Sequence, residues 1–250
     1  MKISITKNKG ITTLSIIFLI ALWKVGSVII DSDLILPSPG DTFLSVCKLF
    51  AEPNFAGIIG ATVLRGLIGF AVSFILGMIL GVIAGIHDGF YAFLKPILIT
   101  IRSTPVISLI LLALIWFDVN QVPVFIAMLT MFPFICTNII EGIRDVDKDL
   151  IEMGQVYNVE QKNIVKDIYL PGIAPFIFSG ASSAMGFGWR AIIIGEVLSQ
   201  PQYGIGTFMQ NAQTYLLVDK VIAWTIIAIF LSYIFENLIR FIQKKTLVWR

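Results

Sequence analysis

DKDLIEMGQVYNVEQKNIVKDIYLPGIAP, residues Asp147 to Pro175, is the longest charged segment lying between two long apolar ones. Val146, Leu150, Met153 and Tyr157 are spaced 4, 3 and 4, which places them on one face of a helix. Asp147, Asp149 and Glu152 fall in its first turns, where negative charge suits the positive end of the helix dipole. Asn158 follows, and asparagine tolerates the left-handed conformation that closes a helix. A second helix is expected from Glu160 to Leu170, with Ile164, Val165 and Ile168 on one side and Pro171 stopping it. Asn158 with Gln161 can cap its start. The residues alone leave two readings of this amphipathic pair: it lies on a membrane leaflet, or it docks another protein.

The flanks decide the class. Of 250 residues, 57% are hydrophobic and 14% charged, against about 25% charged in soluble domains. Several stretches stay apolar for about 20 residues, the length that crosses a bilayer. The fold class is an all-α polytopic membrane protein; the alternating segments of a β-barrel are absent from the sequence. A net charge of +2 gives no sign of a nucleic-acid partner. Cys47 and Cys136 stand far apart, make no metal-like cluster and read as packing residues.

Six spans are expected. The first covers Ile11 to Ile30; it follows Lys2, Lys7 and Lys9 but lacks a small-x-small cleavage site, so it reads as a retained helix. A segment from Asp31 to Gly60 is too polar to cross, and Asp41 can cap a short outer helix there. Span two covers Arg65 to Ile86, with a ridge of Gly69, Ser73, Gly77, Gly81 and Gly85 that lets another backbone approach. Span three covers Pro96 to Phe117, where Pro105 can kink the helix, and span four Val122 to Ile140. Span five covers Gly172 to Leu198 and is crowded with small residues. Phe208, Met209, Ala212, Tyr215 and Leu216 then mark a short amphipathic outer helix, and span six covers Val221 to Ile242.

Lys and Arg fix the orientation. With both termini inside, Lys2, Lys7, Lys9, Lys95, Arg144, Lys148, Lys162, Lys166, Arg240, Lys244, Lys245 and Arg250 are cytoplasmic. Outside remain Lys48, with Arg65 and Lys220 at span edges.

No phosphate-binding G-x-x-x-x-G-K-[ST] loop is present, and one histidine, His87, cannot make a multi-histidine metal site. No catalytic residues and no metal site are expected in this chain. The charges inside spans are the candidate pathway residues. Arg190 is expected mid-span, where an unpaired cation costs at least about 2.5 kcal/mol. It lines a substrate path, pairs with another helix, or snorkels. Glu196, six residues on, faces another side of the helix and reads as a structural anchor, a gate contact or a pathway group. Arg102, near Thr104, snorkels or lines the path.

The charged loop resembles the so-called EAA loop of permease subunits of ATP-binding-cassette importers. Glu152-Met153-Gly154 stands where Glu-Ala-Ala would be, Asn158 where a glycine would be, and Ile168-Tyr169-Leu170-Pro171 matches the downstream end, with Pro175 and Gly180 fitting too. The chain is similar to the nitrate/sulfonate/taurine-type branch at Leu36-Pro37-Ser38-Pro39, at Arg65 with Gly69-Phe70, and at Gly77 with Gly81. The same holds for Arg102-Ser103-Thr104-Pro105, Trp116-Phe117, Gly188-Trp189-Arg190 with Glu196, and Tyr203-Gly204-Ile205-Gly206.

The resemblance implies a type I importer permease: an N-terminal helix and outer segment over 1–54, a permease domain over 55–245, and a coupling loop over 144–171. It implies a second permease subunit, most simply a second copy. It also implies two ATPase subunits that bind ATP and Mg in this chain's stead, and an extracytoplasmic solute-binding protein. The location is a bacterial inner membrane. Leu150, Glu152, Met153, Gly154, Tyr157, Asn158, Ile168, Leu170 and Pro171 are the implied ATPase-coupling residues. The implied substrate is a small anion of the sulfonate, taurine or nitrate kind, with a vitamin precursor such as a thiamine pyrimidine as the alternative. A secondary transporter and a membrane-anchored signalling or structural subunit are the readings from other classes.

Overall fold

The structure is a computed structural model that describes residues 5–246, with side chains from residue 10 onward. Lys2 and Arg250, and the side chains of Lys7 and Lys9, lie outside the described residues. Among those described, every regular element is helical. In chain order they are α1 Ile5–Ile30, α2 Pro39–Phe50, α3 Phe55–Ile86, α4 Asp88–Ser103, α5 Val106–Trp116, α6 Val122–Arg144 and α7 Lys148–Val156. Then come α8 Gln161–Ile164, a π-helical turn Val165–Tyr169, α9 Leu170–Ser199, α10 Ile205–Thr214 and α11 Val218–Thr246.

The chain divides into two compact units, one of 1–56 with 208–229, the other of 57–207 with 230–250. In the first, Ser38 caps α2 by accepting the Asp41 amide, so the cap lies one turn earlier than expected and Asp41 sits inside the helix. Trp23 donates to the Pro37 carbonyl, Ser45 bonds Asp219, and Phe55 stacks on Trp224. Cys47 is exposed rather than packed, whereas Cys136 of the second unit is buried.

The second unit is built on α6. The glycine ridge of α3 lies along it: a Cβ on Gly69 would stand 2.8 Å from Ala127, on Gly77 2.7 Å from Ile135, on Gly81 2.9 Å from Ile139 and on Gly85 2.8 Å from Ile143. The matched residues keep a constant offset, so α3 and α6 run parallel. On its other side α6 meets α9, where Gly180 faces Asn138, Gly188 faces Met131 and Gly195 faces Pro123. These numbers rise on one helix as they fall on the other, so α9 is antiparallel. Met131, Ile135, Ile139, Trp189 and Ile192 fill the core between them.

Five helical runs are long and apolar enough to cross a membrane, and α4 with α5 makes a sixth only as a pair bent by 97°. The parallel course of α3 and α6 settles the count. The chain leaves α3 at one side and enters α6 at the other, so the bent pair between them must cross. Expected span three is therefore broken. Pro105 has no amide hydrogen and forces Thr104 out of helical geometry, so α4 stops at Ser103.

Two boundaries also move. Expected span two starts at Arg65, but α3 begins at Phe55, so Arg65 lies well inside a helix instead of at its edge. Pro171 does not stop the second loop helix: Gln161–Ser199 is one run. The Leu170 amide reaches back to the Val165 carbonyl, a wide π turn just ahead of Pro171, and such a turn makes room for a proline ring.

Candidate functional site

The loop after α6 is anchored at its base by Arg144, which bonds Asp88 at 2.6 Å and lies over the Tyr91 ring, 4.1 Å from its centre. The Asp147 side chain caps α7 by accepting the Asp149 amide. At the other end, Val159 donates to the Gly154 carbonyl and Asn158 to that of Gln155, the paired bonds of a Schellman close. Asn158 supplies the left-handed residue this needs, with φ 53°. Gly154 is buried because the chain folds back there: a Cβ would sit 3.3 Å from Ile164.

Leu150, Glu152, Met153, Tyr157 and Asn158 are exposed together with Val156, and Leu170 is exposed further on. Ile168 and Pro171 are half-buried. Val146 does not share the exposed stripe; it precedes α7 and packs into the core beside Gly172. Val165 also departs from expectation, since the π turn rotates it outward, away from buried Ile164. The second helix has no side-chain cap bond at its start.

Three of the four candidate pathway residues lie together. Phe134 of α6 and Phe187 of α9 stack, ring centres 4.6 Å apart and planes within 6°. Arg102 lies over Phe134 at 5.4 Å and Arg190 over Phe187 at 5.9 Å. Two guanidiniums thus flank one aromatic pair. Neither has a carboxylate within 4.0 Å among the described residues. Thr104 stands beside Arg102 in a cavity of about 410 Å³ that both rings line, its hydroxyl donating to the Thr100 carbonyl. The two phenylalanines carried no signal in the sequence, because a phenylalanine in a span is ordinary.

Glu196 is elsewhere. It is fully buried, and Arg65 donates to it at 2.7 Å. Thr62 donates at 2.9 Å and the Gly206 amide, in the first turn of α10, at 2.9 Å. Arg65 also donates to the carbonyl of Tyr203 and to Asn120. A Cβ on Gly204 would stand 2.6 Å from the Glu196 carboxyl carbon, so this carboxylate excludes a side chain at Gly204, while at Gly206 the Ile193 carbonyl and the α9 backbone do so. Arg65 and Thr62 were missed as its partners, and Asn120 as a partner of Arg65. Opposite charges near the same ends of spans two and five were the available signal.

Residues 73–248 match the family described as "Binding-protein-dependent transport system inner membrane component". The chain is 32% identical over 234 residues to the putative aliphatic sulfonates transport permease protein SsuC of Escherichia coli (strain K12), covering 92% of this chain and 88% of that one. It is 22% identical to the taurine transport system permease protein TauC of the same organism, covering 96% and 89%. Its fold is similar to a chain of the MetNI methionine ABC transporter in an inward-facing conformation, with TM-score 0.67 and 16% identity, covering 78% of this chain and 98% of that one.

Proposed function

The chain belongs to the binding-protein-dependent transport system inner membrane component family, and from that premise we propose that it forms the translocation path of an importer for small anions. The observation that carries the anion is the pair Arg102 and Arg190 on the Phe134–Phe187 stack. A guanidinium within a span needs an anion, a partner or water. Here two line adjoining cavities that share Phe187, and neither has a carboxylate within 4.0 Å among the described residues. Relatives named for aliphatic sulfonates and taurine fit that charge.

Energy enters through the loop. Leu150, Glu152, Met153, Tyr157 and Asn158, with Leu170, form the surface on which a separate ATPase pushes, while buried Gly154 and half-buried Ile168 and Pro171 hold that surface in place. That ATPase holds ATP and Mg, so this chain catalyses nothing. Because Gln161–Ser199 is continuous, a push on α7 and α8 is delivered directly to the helix that carries Arg190. The side holding this loop is cytoplasmic, as are both termini. It carries Lys95, Arg144, Lys148, Lys162, Lys166, Arg240 and Lys244, the bias that sets topology. A second copy completes the path in a bacterial inner membrane, and an extracytoplasmic binding protein delivers substrate.

The test is ATP-driven uptake of radiolabelled ethanesulfonate by the complete transporter in proteoliposomes. Wild type should accumulate it, and Arg190→Gln should lower uptake by about tenfold or more, the loss of one charged hydrogen-bond donor. Arg102→Gln should act in the same direction. Uptake of uncharged solutes but not of ethanesulfonate overturns the anion reading.

A further inference from the structure

Three cavities follow one another along α9. The first, about 410 Å³, holds Arg102 and Thr104 against the Phe134–Phe187 stack. The second, about 220 Å³, shares Phe187 and adds Ser182, Ser183, Arg190, Glu236 and Arg240. The third, about 710 Å³, shares Ser182, Ser183 and Arg240 and adds Ser179 and Lys244. On α9 the lining descends from Arg190 to Ser179, about 16 Å of helix. On α11 it runs from Glu236 to Lys244, so the two helices are antiparallel. The third cavity therefore opens on the side of the membrane that carries the charged loop.

We propose that the third cavity is the release site for the transported anion, and that Glu236 is the group that loosens it. This rests on the anion reading above. The argument is the change in how the cations are held. Arg102 and Arg190 lie over aromatic rings and neither is held in an ion pair within 4.0 Å among the described residues, although Glu236 lines the same cavity as Arg190. Arg240 is already paired with Glu236 at 2.6 Å. An anion handed on from Arg190 meets at Arg240 a guanidinium whose charge is already shared with a carboxylate, which competes with it there. Lys244 and the hydroxyls of Ser179, Ser182 and Ser183 supply further donors. A path conducts only if its sites bind well enough to fill and weakly enough to empty. Strong stations at Arg102 and Arg190 followed by a self-competing one at Arg240 give that gradient.

The experiment reads binding from the release side. Proteoliposomes carrying the complete transporter are loaded inside with rising unlabelled ethanesulfonate, and ATP-driven uptake of the labelled compound is measured. Arg240→Gln with Lys244→Gln should raise the half-inhibitory internal concentration by about tenfold. Glu236→Gln should lower it by about threefold, since an exposed pair is weak. A purely structural role for the pair would move both variants the same way. Both variants matching wild type, or shifting together, overturns the release site. A shift that follows the anionic-lipid content of the vesicle and not internal ethanesulfonate also overturns it, since the cleft then holds a lipid headgroup. Failure of wild type to take up ethanesulfonate sinks the anion reading and this site with it; uptake without the opposed shifts sinks this site alone.

Discussion

Arg65 and Glu196 meet at 2.7 Å, with the carboxylate fully buried and the arginine side chain 11% exposed. The pair ties α3 to α9. Through Tyr203, Gly206 and Asn120 it also holds the turn before α10 and the short connection before α6. Removing one partner leaves the other charge buried. Glu196→Met or Arg65→Met should each destabilise the protein by about 3–5 kcal/mol. The double variant should fall short of the summed cost by roughly 0.5–3 kcal/mol. Thermal unfolding of the detergent-purified protein checks this, and strict additivity would show that the two do not act as a pair.

The glycines of α3 are not equivalent. At Gly81 a Cβ would press on Ile139 at 2.9 Å and the Cys136 carbonyl at 3.1 Å, while at Gly60 nothing lies within 4 Å. Gly81→Ala should cost about 1–3 kcal/mol as an overpacked contact. Gly60→Ala should instead gain about 0.5–1 kcal/mol from helix entropy. Opposite shifts in melting temperature are the expected result; equal shifts would mean that the ridge does not seat α6.

These contrasts separate what could be read from residues from what could not. The ridge was legible because small side chains every fourth residue have one physical use in a membrane helix. The Asn158 turn was legible because few residues accept φ 53°. Leu216 adopts φ 57° with the same pair of closing bonds, and no sequence signal marks it, since leucine there is held by context. The stop at Pro171 was misplaced because a π turn absorbs the missing amide, a device with no residue signature. Glu196 and Arg65 were noted singly. Pairing them needed the depth of each charge, and the early start of α3 hid the depth of Arg65.

Asn158 makes the turn between the two loop helices. Asn158→Val puts a β-branched residue in the left-handed region at a cost of about 1–2 kcal/mol, whereas Asn158→Gly should cost nothing. Asn158 is exposed and takes no part in the α3–α6–α9 core, so membrane insertion should be normal in both. In the reconstituted transporter the valine variant should lose ATP-driven uptake and the glycine variant keep it. Unchanged uptake with valine would show that this turn transmits no work.

Glu152 bears on the ATPase contact itself. It is exposed on α7, one turn before exposed Val156, so its charge flanks the exposed apolar stripe of Leu150, Met153 and Tyr157. It makes no ion pair among the described residues, so reversing it removes no internal contact. Glu152→Arg should leave the melting temperature of the isolated permease unchanged, because surface substitutions usually stay within about 0.5 kcal/mol. If an ATPase seats on this stripe, the variant should lose co-purification with it at least about tenfold, as expected when like charges are set against each other across an interface. Full retention of the ATPase by a stably folded Glu152→Arg protein would move the contact off α7 and back to the leaflet-lying alternative for this loop.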